Sequence, residues 1–409
     1  MQEALDKLHS MFEKKEVSPL QKAQKAAWDR FLELGLPSKR DEAFRYLRLN
    51  DLFFNGFKYP SLSSSLQVEE ETFLLFHNGR FLEKESRTSL LPKEMIVLPL
   101  TKAWRTFGNY LATRFLESVK SEKNPFALLN AALCEEGVFI YLPPHTQCEV
   151  PLSVIHLLEG DEGFSCPRLH ICLGKGASLK LHVKEYPGEK HFQNGVMDLL
   201  LEEGASLQLT TLSMPRVFSR MESMRAMLKK GSKLQTWSVT NGGKLFRQDA
   251  IVTLAGEGAH AELKGITLVD EKREGHVHLE MRHLAPHTTS LQKYKNVLGG
   301  FSRTSFEGKI VVASEAQKTL AYQMNPNLLL SDHASASSRP NLEIFADDVK
   351  ASHGSTFGQL DQEHLFYLKS RGMTLEKAKK LLICGFCKEI IDEIEDLDLR
   401  KQAAQFVSF

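Results

Sequence analysis

No apolar run in this 409-residue sequence approaches the roughly 20 residues a helix needs to span a bilayer. Net charge is almost absent: 52 lysines and arginines stand against 51 aspartates and glutamates, a formal +1. That balance lacks the basic excess of a nucleic-acid-binding surface or a polybasic membrane anchor, so neither partner is expected. Cysteine is sparse, and the six at 134, 148, 166, 172, 384 and 387 outline no small secreted framework. A chain of this size buries a large core without disulfide staples, and reduced thiols are expected. Met1-Gln2-Glu3-Ala4-Leu5-Asp6 is acidic and amphipathic, unlike a signal or transit peptide, which makes the cytoplasm the expected location. Three motifs are also missing: the G-x-x-x-x-G-K-[ST] loop, a G-x-G-x-x-G between strand and helix, and the G-x-S-x-G elbow. Gly242-Gly243-Lys244 has neither the loop length nor the following hydroxyl of a phosphate loop. Nucleotide binding through either glycine-rich motif is therefore not expected.

What is present divides into three stretches. Residues 1–137 read as a helical region with one β-hairpin. Ser18-Pro19 offers a helix start, Leu20, Ala23, Ala27, Phe31 and Leu34 recur at helical spacing, and Gly35 with Pro37 stops the run. Ser38 with Asp41 reads as a capping box for a helix from Asp41 to about Leu49. After a Ser-rich stretch at 61–65, two apolar runs flank Asn78-Gly79, a pair that tolerates the positive φ of a tight hairpin. Helical spacing returns from about 101 to 134.

Over 138–360 the texture is β. Gly176-Ala177-Ser178-Leu179 recurs as Gly204-Ala205-Ser206-Leu207 and Gly231-Ser232-Lys233-Leu234, then more loosely around Leu263, Leu291 and Leu320. These leucines lie 27 to 29 residues apart. A fixed period in this range means each unit buries its apolar face on its neighbours. Alternation in Ser178-Leu179-Lys180-Leu181-His182-Val183 makes the segments strands. The expected architecture is a mainly β protein: a right-handed parallel β-helix with Leu179, Leu207, Leu234 and Leu263 in one inward column. A β-sandwich with similar turn spacing is the alternative. Residues 361–409 read as helical, with Asp361–Arg371 and a Thr374-capped helix whose stripe is Leu375, Ala378, Leu381, Leu382, Phe386 and Ile390. Helical segments on both sides suit a solenoid whose open ends need cover.

Three constellations carry possible chemistry. His276, His278 and Glu280 would share one face of a strand, either as metal ligands of a β-fold enzyme or as a solvent-facing polar face. Cys384-Gly385-Phe386-Cys387 is a lone C-x-x-C without a second pair, readable as redox or metal chemistry or as small apolar residues of a helix. The densest block spans 321–372 and includes Ala346-Asp347-Asp348-Val349-Lys350-Ala351-Ser352-His353-Gly354 and Leu365-Phe366-Tyr367-Leu368.

That block closely resembles the SufB/SufD family of SUF iron–sulfur cluster assembly scaffolds. Supporting matches are Gly308-Lys309-Ile310 before Ala316-Gln317-Lys318-Thr319, Gly35-Leu36-Pro37 with Asp41-Glu42-Ala43-Phe44-Arg45-Tyr46, and Phe139-Ile140-Tyr141-Leu142-Pro143. Ser338-Arg339-Pro340-Asn341 stands without the cysteine expected of SufB there, so the resemblance is to the SufD branch. The resemblance implies a non-enzymatic scaffold that pairs with SufB through the β-helix, with a homodimer possible when isolated. It implies docking of the ATPase SufC at the C-terminal helices, mapped onto Leu365, Phe366, Tyr367 and Arg371. It also implies no stably bound cofactor, only a transient Fe–S cluster at the interface with SufB. The family's interface histidine corresponds to His353, which read by itself could equally be a hydrogen-bonded turn residue. Many members carry cysteine two residues earlier, where this chain has Ala351, so no thiolate acts at that place. The competing enzyme readings are a polysaccharide-acting β-helix, which usually requires export, and the metal-dependent enzyme using His276, His278 and Glu280.

Overall fold

The computed structural model describes residues 2–38, 40–49, 52, 68, 70–159, 163–186, 191–213 and 219–407. The Ser-rich stretch at 61–65 lies outside them. Helices α1 (Gln2–Glu13) and α2 (Gln21–Leu34) open the chain. Strands β1 (Phe73–His77) and β2 (Arg80–Arg87) form an antiparallel hairpin across Asn78 and Gly79, both at positive φ as their sequence requires. Strand β3 (Ile96–Pro99) leads into α3 (Leu100–Thr106), α4 (Gly108–Ser121) and α5 (Pro125–Leu133).

The solenoid strands then follow in chain order. They are β4 (Val138–Leu142), β5 (Gln147–Leu157), β6 (Phe164–Ser165), β7 (Arg168–Leu173), β8 (Ser178–Tyr186) and β9 (Phe192–Leu201). Next come β10 (Ser206–Ser213), β11 (Ser219–Leu228), β12 (Lys233–Thr240), β13 (Leu245–Leu254), β14 (His260–Val269) and β15 (Glu274–His283). The last are β16 (Thr289–Leu298), β17 (Arg303–Val312), β18 (Thr319–Leu329), β19 (Ser335–Ile344) and β20 (Val349–Gly358). From β8 onward the even strands stack in one ten-stranded sheet and the odd strands in another, each strand parallel to its equivalent one rung away. This is the expected β-helix.

The repeat is written in the turn rather than in the leucine. His145, Gly176, Gly204, Gly231, Gly258, His287 and Lys318 all have φ near +60° and stack at one corner. The first six each donate the backbone N–H to the carbonyl of the residue before the next one, Gly176 to Glu203 and Gly204 to Lys230, both at 2.8 Å, and Lys318 donates to Asp348. Glycine reaches this left-handed conformation without a Cβ penalty, which explains its recurrence in the motif. Counting from the turn corrects the expected column. Leu179, Leu207 and Leu234 stack in register, but Ala261 follows Leu234, and Leu263 pairs with Thr236 two residues on. Leu263 is still inward because a two-residue slip keeps the face. Leu320 is two-fifths exposed on the outer face and aligns with Thr289.

The two helical regions lie against the flanks of the solenoid, not over its ends. Phe126 and Leu129 of α5 share a core with Phe164, Phe192, Met221 and Leu245, which begin strands of the odd sheet. The helix expected over 41–49 is one 3-10 turn, Glu42–Phe44; Ser38 and Asp41 do bond, but they close a turn. Its residues strap the odd sheet instead. Phe44 lies beneath the Arg247 guanidinium at 4.4 Å, and Glu42 pairs with Arg339 of β19 at 2.6 Å.

On the other flank, α7 (Leu375–Ile391) and α8 (Leu397–Val407) pack on the even sheet, and α6 (Gln362–Ser370) lies against α7. The buried stripe of α7 is Ala378, Ile383, Cys387, Ile390 and Ile391, the last four seated with Ile394 on Trp237, Val239, Ile266 and Leu268. The expected stripe was rotated by about one position: Leu375 and Leu381 are 41% and 49% exposed. Lysines on the sheet fit the rotation, because Lys293 and Lys295 reach Glu389 of α7 and Lys264 reaches Glu393 just beyond it, which turns this end of the helix toward the strands.

Candidate functional site

Among the described residues, no strand caps the C-terminal end of the solenoid. Strands β19 and β20 are the last of their sheets, and each has one edge that pairs with no other strand among the described residues. The core is unfinished there: Leu342, Val349 and Ala351 are half-buried against it, while Ile344, Phe345 and Phe357 are 40%, 67% and 52% exposed. A free strand edge with apolar neighbours is a template for another chain.

His353 lies in this rung, in the middle of β20 rather than in a segment leaving the solenoid. In β18, Ala321, Gln323 and Asn325 are buried, whereas Leu320, Tyr322 and Met324 alternate outward. Register places Ala351 on Ala321, His353 on Gln323 and Ser355 on Asn325. His353 therefore belongs to the inward set of a rung over which no described strand is stacked, and it is exposed. No cysteine lies in these last strands, so this chain offers no thiolate at the open rung.

The ATPase-contact candidates occupy α6. Asp361 caps it by accepting from the backbone N–H groups of Glu363 and His364. Leu365 is turned into the helical region at 6% exposure, while Phe366 and Tyr367 stand 74% and 56% exposed. Arg371 closes the helix and holds its guanidinium 5.3 Å over the Tyr367 ring. Three of the four side chains are thus presented to solvent.

His276, His278 and Glu280 share a strand face but do not converge. His276 is buried beneath the N-terminal residues, with Nδ1 against Ser305 Oγ at 2.8 Å and Nε2 against Glu274 at 3.2 Å. His278 pairs with Asp249 at 3.0 Å, and Glu280 accepts from Arg282 at 2.7 Å. Among the described residues, no three His, Cys, Asp or Glu side chains come together to hold a metal. The face is not solvent-facing throughout either, because the strap and α4 cover much of it and leave a groove of about 1030 Å³. Cys387 is fully buried on α7 and burial pushes its thiol up to about 12, so it behaves as an apolar residue.

One feature escaped the sequence reading: a buried charge network inside the solenoid. Arg220 contacts Glu185 and lies 3.2 Å from Glu222, and Ser213 donates to Glu185 at 2.6 Å. Burial raises the Glu185 carboxyl against the pull of Arg220. The inward alternation of Arg220-Met221-Glu222 was its available signal.

A family model described as SUF system FeS cluster assembly, SufBD core domain, matches residues 156–386, and one described as SufBD protein N-terminal region matches 3–154. The chain is 28% identical to the iron-sulfur cluster assembly SufBD family protein slr0076 of Synechocystis, covering 96% of this chain and 91% of that one. It is 25% identical to the iron-sulfur cluster assembly protein SufD of Escherichia coli, covering 98% and 95%. It is 26% identical to the chloroplastic protein ABCI7 of Arabidopsis thaliana, covering 95% and 86%. No helix among the described residues is long and apolar enough to cross a membrane.

Proposed function

The chain belongs to the SufBD family of iron–sulfur cluster assembly proteins, and we propose that it serves there as a non-catalytic scaffold subunit. It pairs with SufB through the open rung of β19 and β20, docks SufC on α6, and contributes His353 to a nascent cluster at the paired interface. The observation that carries this reading is the unfinished rung, where two strand edges unpaired among the described residues, exposed apolar side chains and the unburied imidazole of His353 coincide. A neutral imidazole ligates iron, and a single ligand suffices where the partner completes the site. In isolation the same edges are open to a second copy of the chain, giving an isologous homodimer that SufB displaces.

The test is co-purification of the chain with SufB and SufC, followed by cluster reconstitution read as iron, acid-labile sulfide and visible absorbance. Association of both partners with cluster formation supports the reading. Failure of SufB to associate, or full loading when His353 is alanine, refutes its interface or its ligand respectively.

A further inference from the structure

The residue directly beneath His353 is a glutamine whose side-chain oxygen is buried without a hydrogen-bond partner among the described residues. Gln323 lies in register with His353 on one side and with Gln292 on the other, all three in one inward column of β16, β18 and β20. Gln323 is 3% exposed and donates its Nε2 to Gln292 Oε1 at 2.8 Å. Its amide sits where a side chain on Gly308 would be: a Cβ there would overlap the Gln323 nitrogen and press on the Phe306 ring at 3.0 Å. The amide is therefore held by a hydrogen bond from below and by packing from the facing strand. Its Oε1 is buried and has no hydrogen-bond partner among the described residues. A buried carbonyl without a partner costs about 1–3 kcal/mol, so an unmet acceptor one rung beneath an exposed histidine needs an explanation.

Strands of adjacent rungs lie about 4.8 Å apart, close enough for an imidazole stacked over the amide to reach it. From this we infer that Gln323 is a positioning residue for His353. Once a partner closes the open rung, its Oε1 accepts the ring N–H and fixes the tautomer whose other nitrogen faces the cluster. Histidine ligands commonly donate their second ring N–H to a carbonyl or carboxylate, which sets ring orientation and basicity. Here Gln292 orients Gln323 through its one hydrogen bond and Gln323 orients His353, so the packing of two buried amides fixes an exposed side chain. The inference rests on the reading of His353 as a cluster ligand.

The experiment uses the full chain, ¹⁵N-labelled at histidine, assembled with SufB and SufC. Long-range ¹H–¹⁵N correlation at a pH where the ring is neutral reads the His353 tautomer, and cluster loading is measured on the same samples. The wild-type chain is expected to hold one tautomer. Gln323→Met, nearly isosteric but without an acceptor, should show a mixture of tautomers and lose cluster loading by about tenfold or more. Gln323→Glu keeps an acceptor, and Gln292 can turn its amide to donate to it, so this variant should retain one tautomer and most of the loading. Thermal melts of each variant verify folding. Unchanged tautomer and loading in Gln323→Met overturn the inference, as does lost loading with no change in tautomer, which would mark Gln323 as merely structural. A tautomer change in Gln323→Met beside full loading in His353→Ala refutes the ligand assignment instead, so the two failures are distinguishable.

Discussion

Truncating the two exposed aromatics of α6 separates binding from folding. Phe366 and Tyr367 are 74% and 56% exposed, so their rings contribute little to the folded chain. Phe366→Ala should change unfolding free energy by no more than about 0.5 kcal/mol. Tyr367→Ala also removes the stacked Arg371 guanidinium, an exposed contact worth about 0.5–1 kcal/mol. If these rings anchor SufC, each truncation costs about 2 kcal/mol of binding, since aromatic anchors dominate interface energetics. At 1.4 kcal/mol per tenfold, each single variant weakens SufC by roughly 30-fold. The pair falls between about 30-fold and about 1,000-fold, because neighbours on one helix need not add. The assay is calorimetric titration of SufC into each variant, with the melting temperature and SufB association as controls. Deleting everything after residue 360 is a poorer test, since it also uncovers Trp237, Val239, Ile266 and Leu268 on the even sheet. Unchanged SufC affinity in the double variant would place the docking surface elsewhere.

Other perturbations test the remaining parts. His353→Ala should leave the melt and SufB association intact and sharply lower iron and sulfide content, whereas Cys384→Ala should load normally; cluster loss confined to the cysteine variant would place the chemistry on α7. Arg220→Met should cost about 3–5 kcal/mol in urea unfolding at pH 7, because it leaves Glu185 buried without its cation. Glu185 already binds its proton more tightly when folded, so that loss should shrink as the pH falls and the carboxyl is neutralised. The Lys293 and Lys295 ammonium groups hold the Glu389 carboxyl down to about 2. Its contribution to stability is therefore present above the unfolded carboxylate value of about 4.3 and lost as the pH falls toward 2. The urea midpoint of Glu389→Gln should lie below wild type at pH 6 and meet it near pH 2; a gap that is constant with pH would rule out the ion pair as its cause.

The β-helix was legible because its cause is local and repeated. A left-handed corner needs glycine or tolerates few replacements, so Gly176, Gly204, Gly231 and Gly258 write the period directly into the chain. Alternation set the faces of the strands, and Asn78-Gly79 set the hairpin, for the same reason: backbone conformation at these positions depends on one or two residues. The family resemblance pointed to His353 and to Phe366 with Tyr367 through contiguous motifs. Register was a tertiary decision. Rungs vary in length through their turns, so Leu234 meets Ala261 rather than Leu263, and nothing local to Leu263 distinguishes two inward positions of one strand. The rotation of α7 goes with lysines more than ninety residues away, and the place of Asp41–Tyr46 with Arg247 and Arg339 on a distant sheet. Likewise, sequence marked His353 as a residue before a glycine, but only stacking of β20 on β18 made it the open end of an inward column above Gln323. Local conformational preference determined which elements form; long-range pairing and packing, whose partners lie tens to hundreds of residues apart, decided which side chains meet.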